Sequence, residues 1–121
     1  GEGFFKVKDV ASGGELSRIL LSIRKVLANN DSISIFLFDE IDAGIGGETA
    51  LTIGRSLSEV SSDSQVIAIT HLPQIANFSQ KLIVVDKGII DKDSEKRTIS
   101  HVREVIGTKL KEEVISMNPL N

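Results

Sequence analysis

The sequence predicts an α/β fold, with helices layered on a mostly parallel sheet. Three observations predict it. Short runs of β-branched and aromatic residues alternate with segments whose apolar residues recur every three or four positions. Two of those short runs end in ionisable groups, Asp39-Glu40 and His71, as working residues do at the carboxyl ends of strands in open α/β sheets. The chain of 121 residues is long enough for one compact domain and too short for two.

Residues 12–29 read as an amphipathic helix, with Leu16, Ile19, Leu20, Ile23, Val26 and Leu27 as its apolar stripe. Ser12 and Glu15 form a capping-box pattern at its start, and Arg24 and Lys25 suit its negative end. The polar stretch Asn29-Asn30-Asp31-Ser32 stops it. Ile33 to Phe38 is too short for a helix and reads as a buried strand. A glycine-rich turn, Ala43 to Gly47, leads to a helix over 48–61, on which Leu51, Ile53, Leu57 and Val60 are the apolar set. Gln65 to Thr70 is a second buried strand. A short helix follows over 72–78, with Pro73 in its first turn. Strands over 81–86 and 97–102 flank a charged hairpin tip or loop at 88–96. A last helix spans 108–117, and Pro119 ends it.

Composition narrows the function classes. No run of eighteen apolar residues exists, so no membrane span is expected, and the first residues lack a secretory layout. Zero cysteines exclude disulfides, thiolate metal ligands and a cysteine nucleophile. Five Phe with no Trp or Tyr make base stacking a poor first guess. A net charge of −3 argues against a nucleic-acid grip over the whole surface. The charge is uneven, however: residues 26–80 carry seven acids and one base, Arg55. Such a segment is either a solvated face or a cation site.

Its position favours the second reading. Asp39 and Glu40 are adjacent like charges at the end of an apolar strand, where burial would raise the cost of both. A Mg²⁺ ion facing a phosphate would relieve that cost. Ile35-Phe36-Leu37-Phe38-Asp39-Glu40 therefore reads as a Walker B strand, with Asp39 holding Mg²⁺ and Glu40 orienting and deprotonating a water, although an ordinary acidic strand-to-loop exit explains the pair of acids equally well. Ser12-Gly13-Gly14-Glu15 offers free N–H groups and a positive helix end to phosphate oxygens, although a well-capped helix alone explains it too. His71 would project from the same sheet edge as the two acids. Other sites fail on spacing. Gly44-x-Gly46 is followed by Thr49 where a dinucleotide loop needs a third glycine. Neither G-x-S-x-G nor H-E-x-x-H occurs, and G-x-x-x-x-G-K-[ST], the phosphate cradle of a P-loop enzyme, is absent. His101 lies inside a plausible edge strand and is given no role.

Three longer strings carry a resemblance: Ala11 to Arg18 (ASGGELSR), Phe38 to Gly47 (FDEIDAGIGG) and Thr70 to Ala76 (THLPQIA). Together, from about Val7 onward, they resemble the RecN family of bacterial DNA-repair ATPases, within the SMC-like group that carries ABC-type heads. The resemblance implies that residues 1–121 are a single partial domain. That domain is the C-terminal half of a three-layer P-loop NTPase-like head, with a β-hairpin near its C-terminus and without the Walker A half. It implies that Ser12, Gly13, Gly14 and Glu15 are the signature that touches the γ-phosphate of ATP held by the opposite protomer. Asp39 would support Mg²⁺ through water, Glu40 would be the general base, and Ala43, Gly44 and Gly46 would lie in the D-loop crossing the dimer interface. His71 would be the switch histidine sensing the γ-phosphate. Many related heads end the D-loop in Asp, where this chain has Gly46.

The same resemblance implies ATP and Mg²⁺ as ligands, both needing the N-terminal half for full binding. It implies three partners: that Walker A half, a second head in a head-to-head homodimer, and DNA through the full-length protein. A cytoplasmic location, at the nucleoid on DNA damage, follows from it, as does a P-loop strand lying between the Walker B strand and the His71 strand. Alternatives are a head fragment of another SMC-like or ABC ATPase, acting in chromosome condensation or recombination, and a non-catalytic dimerisation module.

Overall fold

In the computed structural model, residues 11–27, 35–92 and 95–118 are described, with 90–92 and 95–97 by backbone alone. The elements run α1 (Gly13–Val26), β1 (Ile35–Phe38), α2 (Gly47–Val60), β2 (Gln65–Ala68), α3 (Pro73–Ala76), β3 (Leu82–Lys92), β4 (Glu95–Val105) and α4 (Thr108–Ser116). They divide into two units, residues 1–78 and 79–121.

In the first unit, β1 and β2 pair in parallel from Ile35↔Gln65 to Phe38↔Ala68, and the Ile69 N–H extends the ladder to the Phe38 carbonyl at 3.0 Å. Side chains alternate across a strand, so Phe36 and Phe38 share one face. Their rings lie 6.2 Å apart, and both are buried with Leu21, Ile41, Ala50, Leu57, Val60 and Ile75. Phe38, Leu21 and Ile41 are the largest fully enclosed side chains. Each contributes roughly 1.5–3 kcal/mol by leaving water. The opposite face is apolar and exposed at Ile35, Leu37, Ile67 and Ile69. Helices thus cover one face of this sheet among the described residues.

The stripe of α1 expected to face the core does not. Ile19, Leu20, Ile23, Val26 and Leu27 are exposed, while Gly14, Leu21 and Arg24 are buried. Periodicity reveals that a helix has an apolar face but not which neighbour covers it. Here close approach to the β1 exit requires small and hydrogen-bonding residues instead. The buried Arg24 guanidinium stacks over Phe36 at 4.9 Å and donates to Ser64 Oγ at 3.1 Å. Lys25 ties α1 to α2 through Glu59 at 2.7 Å.

In the second unit, β3 and β4 form an antiparallel hairpin registered from Leu82↔Val105 to Lys92↔Glu95. Among the described residues, Val105, Leu110 and Val114 are its buried apolar side chains. Arg103 bridges Glu113 of α4 at 2.9 Å and Asp86 of β3 at 3.5 Å.

Three expectations are corrected. The expected mostly parallel sheet is replaced by two separate two-stranded sheets, and the longer is antiparallel. Strands also run through most of the charged 88–96 segment, because an antiparallel ladder is made by backbone groups and tolerates charged side chains in solvent. No strand lies between β1 and β2, which hydrogen-bond directly to each other. A P-loop strand between them is therefore excluded, and both outer edges of the pair are unpaired among the described residues.

Candidate functional site

The N-terminus of α1 is built by its first four residues. Ser12 Oγ accepts from the Glu15 N–H at 3.3 Å, and Glu15 Oε2 accepts from the Ser12 N–H at 2.8 Å. The predicted capping box is present in both directions. The Ser12 backbone bond, followed by the Ser12 side-chain bond, holds the Glu15 carboxyl below its ordinary range. This cap uses the Ser12 hydroxyl and the Glu15 carboxylate. A Cβ on Gly14 would stand 2.7 Å from the Glu40 carbonyl oxygen and 2.8 Å from Ala43 Cβ. A Cβ on Gly13 would overlap the Glu40 carboxylate. The two glycines thus allow the helix start to touch the end of β1.

That end is fixed by side chains on the same helix. Ser17 Oγ donates to the Asp39 carbonyl at 2.6 Å. Arg18 Nη1 donates to the carbonyls of Ala43 at 2.9 Å and Ile41 at 3.3 Å. Asp39 Oδ1 accepts from the Glu40 N–H at 2.8 Å, and the Ala43 N–H closes a turn onto the Glu40 carbonyl at 3.0 Å. Glu40 takes a left-handed backbone conformation with φ 54°, which costs a side-chain-bearing residue about 1–2 kcal/mol. Strain of that kind gathers where the surroundings over-determine the backbone, commonly at sites of function.

Asp39 and Glu40 are both exposed, so burial is not what singles them out. The buried acid is Asp42, at 6% exposure. Its Oδ2 accepts from Thr70 Oγ1 at 2.6 Å, from the His71 N–H at 2.7 Å and from His71 Nδ1 at 2.9 Å. Burial pushes this carboxyl up, but the hydrogen bonds from Thr70 and the His71 backbone outweigh it, leaving it below the ordinary range. Thr70 Oγ1 accepts in turn from the Leu72 N–H at 3.0 Å.

The structure therefore brings Gly13, Gly14, Glu40 and Ala43 into contact, with Asp39 adjoining them, and links His71 to the same turn through Asp42. Gly44 and Gly46 lie farther along the exposed loop, where a Cβ would meet nothing within 4 Å. The sequence reading missed Ser17, Arg18, Asp42 and Thr70. Arg18 lies one turn after Gly14 on the buried face of the helix, and Asp42 is the third acid in four residues. Neither spacing names a partner distant in the chain. Among the described residues, no group of three or more His, Asp or Glu could hold a metal ion by itself. The donors fit Mg²⁺ in another way: the exposed Asp39 carboxylate can serve as its one protein acid, with phosphate and water completing the shell.

The chain is similar to curated proteins named DNA repair protein RecN. It is 43% identical to that of Deinococcus radiodurans and 38% identical to that of Treponema pallidum, over 97% of this chain and 20% of either relative. It is 48% identical to that of Streptomyces coelicolor over 64% of this chain and 14% of the relative. The chain spans at most about a fifth of the length of these relatives. No family model matches it. A solved structure from work on ATP-driven dimerization and DNA-stimulated activation of SMC ATPases shares its fold, with a TM-score of 0.56 at 20% identity. That match covers 97% of this chain and 67% of the other.

Proposed function

Because the chain belongs to the RecN family of DNA repair proteins, as a C-terminal fragment of one, we propose that it supplies half of an ATPase head. The whole protein would bind and hydrolyse ATP between two heads during recombinational repair of DNA double-strand breaks. Head engagement would be coupled to holding DNA. The observation that supports this most directly is the meeting of a glycine-started helix and paired carboxylates at one sheet edge. The sequence similarity to RecN proteins and the fold shared with an SMC ATPase point the same way.

In this reading, residues 1–121 form one partial domain of a three-layer P-loop head. The N-terminal half of the same protein would supply the Walker A lysine. It would also cover the apolar face at Ile35, Leu37, Ile67 and Ile69 and extend the sheet from an open edge of the β1–β2 pair. Unpaired strand edges invite such pairing. Ser12, Gly13, Gly14 and Glu15 present the positive end of α1 to the γ-phosphate of the partner head's ATP. The backbone N–H groups of the first turn act there, since the Ser12 and Glu15 side chains are engaged in the cap. Ala43, Gly44 and Gly46 form the D-loop at the head–head contact.

Asp39 would help hold Mg²⁺, whose charge would neutralise phosphate oxygens when the ion is bound. Glu40 accepts a proton from the attacking water, and its left-handed backbone sets the direction from which the carboxylate approaches. Arg18 and Ser17 hold the carbonyls of Asp39, Ile41 and Ala43 and so fix the turn that carries Glu40. His71 meets the γ-phosphate. DNA and a second head are the partners of the full-length protein, whose place is the bacterial cytoplasm and, on DNA damage, the nucleoid. Alone, the chain neither binds ATP tightly nor hydrolyses it.

Glu40→Gln in the full-length protein tests this reading. Hydrolysis should fall about 10²- to 10⁴-fold, while ATP-bound head dimers accumulate in size-exclusion chromatography. Normal turnover would remove Glu40 from the role of base.

A further inference from the structure

We infer that Asp42 is the positioning residue of His71, fixing which ring nitrogen faces the nucleotide. The inference rests on the reading of His71 as the group that meets the terminal phosphate. Three donors converge on the single oxygen Oδ2 of Asp42: the Thr70 hydroxyl, the His71 backbone N–H and His71 Nδ1. An ionised carboxylate only accepts hydrogen bonds, so Nδ1 must carry its hydrogen. Nε2 is then the nitrogen turned away from Asp42.

The exposures of the two side chains set this contact apart from ordinary packing. The imidazole is 78% exposed and the carboxylate 7%. Burying a carboxylate is costly unless it is well partnered. An imidazole that stands almost free in water needs no such partner in order to fold. Both ends of residue 71 are nonetheless held by one oxygen, so the ring cannot turn without breaking with the carboxylate. Thr70 completes the arrangement. Its oxygen accepts from the Leu72 N–H, which leaves the hydroxyl hydrogen for Asp42. Asp42 lies in the turn just after Glu40, and Arg18 holds the carbonyls of Ile41 and Ala43 on either side of it. The histidine and the base are therefore set by one short segment. A shift of that segment would move both.

The test is a double-mutant cycle in the full-length protein, with Asp42→Asn, His71→Asn and the pair, reading kcat and KM for ATP. Asp42→Asn should lower kcat about 10- to 100-fold, as loss of a partner that orients an imidazole does elsewhere, with a smaller change in KM. In the His71→Asn background the same substitution should have almost no further effect. If Asp42→Asn costs the same factor in both backgrounds, Asp42 acts independently of the imidazole and the inference is overturned, while the reading of His71 stands. If His71→Asn alone leaves turnover unchanged, the reading of His71 fails and the inference with it. A measurement on the unmodified protein guards against a misfolded variant. Nitrogen NMR shifts of His71 should report the Nδ1–H tautomer, and a predominant Nε2–H tautomer would overturn the inference.

Discussion

Residues 35–68 hold a parallel pair of four-residue strands, whereas residues 82–105 hold an antiparallel pair of eleven-residue strands. The short pair cannot stand on its ladder alone. It depends on the Phe36 and Phe38 face packed under helices, and its strand ends run out into turns fixed by side chains. Ser17, Arg18 and Thr70 make those bonds. The long pair depends on its continuous ladder, on Val105, Leu110 and Val114 buried among the described residues, and on the ion pairs of Arg103. Every candidate functional residue falls in the unit that holds the short pair, residues 1–78. Strand ends there leave carbonyls, amides and acids free to be arranged, whereas a continuous ladder uses those groups up.

The contrast can be broken by substitution. The largest effect expected is the loss of hydrolysis on Glu40→Gln, and no substitution in the hairpin should approach it. Leu110→Ala should cost roughly 2–5 kcal/mol, seen as faster amide exchange confined to the second unit, with hydrolysis by the full-length protein unchanged. A fall in turnover comparable to that of Glu40→Gln would end the separation of roles. Gly14→Ala should cost roughly 1–3 kcal/mol in the first unit, because the added carbon meets a backbone oxygen and a fixed Cβ rather than a movable side-chain end. A thermal midpoint equal to that of the unmodified chain would show that α1 does not approach the β1 exit this closely.

The smallest effect concerns pH. The folded Asp42 carboxyl lies below its ordinary value. Its contribution to stability is therefore full above about pH 4 and is lost as pH falls through the folded value. Asp42→Asn should flatten that acid limb in chemical denaturation between about pH 5 and pH 2. An unchanged slope would mean that the Thr70 and His71 bonds do not favour the charged form.

Local patterns were easier to read in the sequence than the contacts that support them. Strand periods, the Ser12–Glu15 cap and the acids after Phe38 are local patterns, and local patterns survive in a sequence. The C-terminal hairpin was legible, but the direct pairing of β1 with β2 was not, since that depends on which distant strand is adjacent. Nor was the buried face of α1. Its apolar stripe is real, but the cover for it is not among the described residues, and Gly14, Leu21 and Arg24 face the core instead. Asp42 was hidden for a different reason. Next to Asp39 and Glu40 it reads as one more acid in a charged segment, and only the fold brings Thr70 and His71 to it.

The most direct test of the half-head is complementation. The purified chain is mixed with the N-terminal portion of a full-length parent protein, and ATP hydrolysis is measured for each part and for the mixture. Neither part should hydrolyse ATP, the mixture should, and Glu40→Gln in this chain should abolish the restored activity. Hydrolysis by this chain alone, lost on Glu40→Gln, would contradict the account.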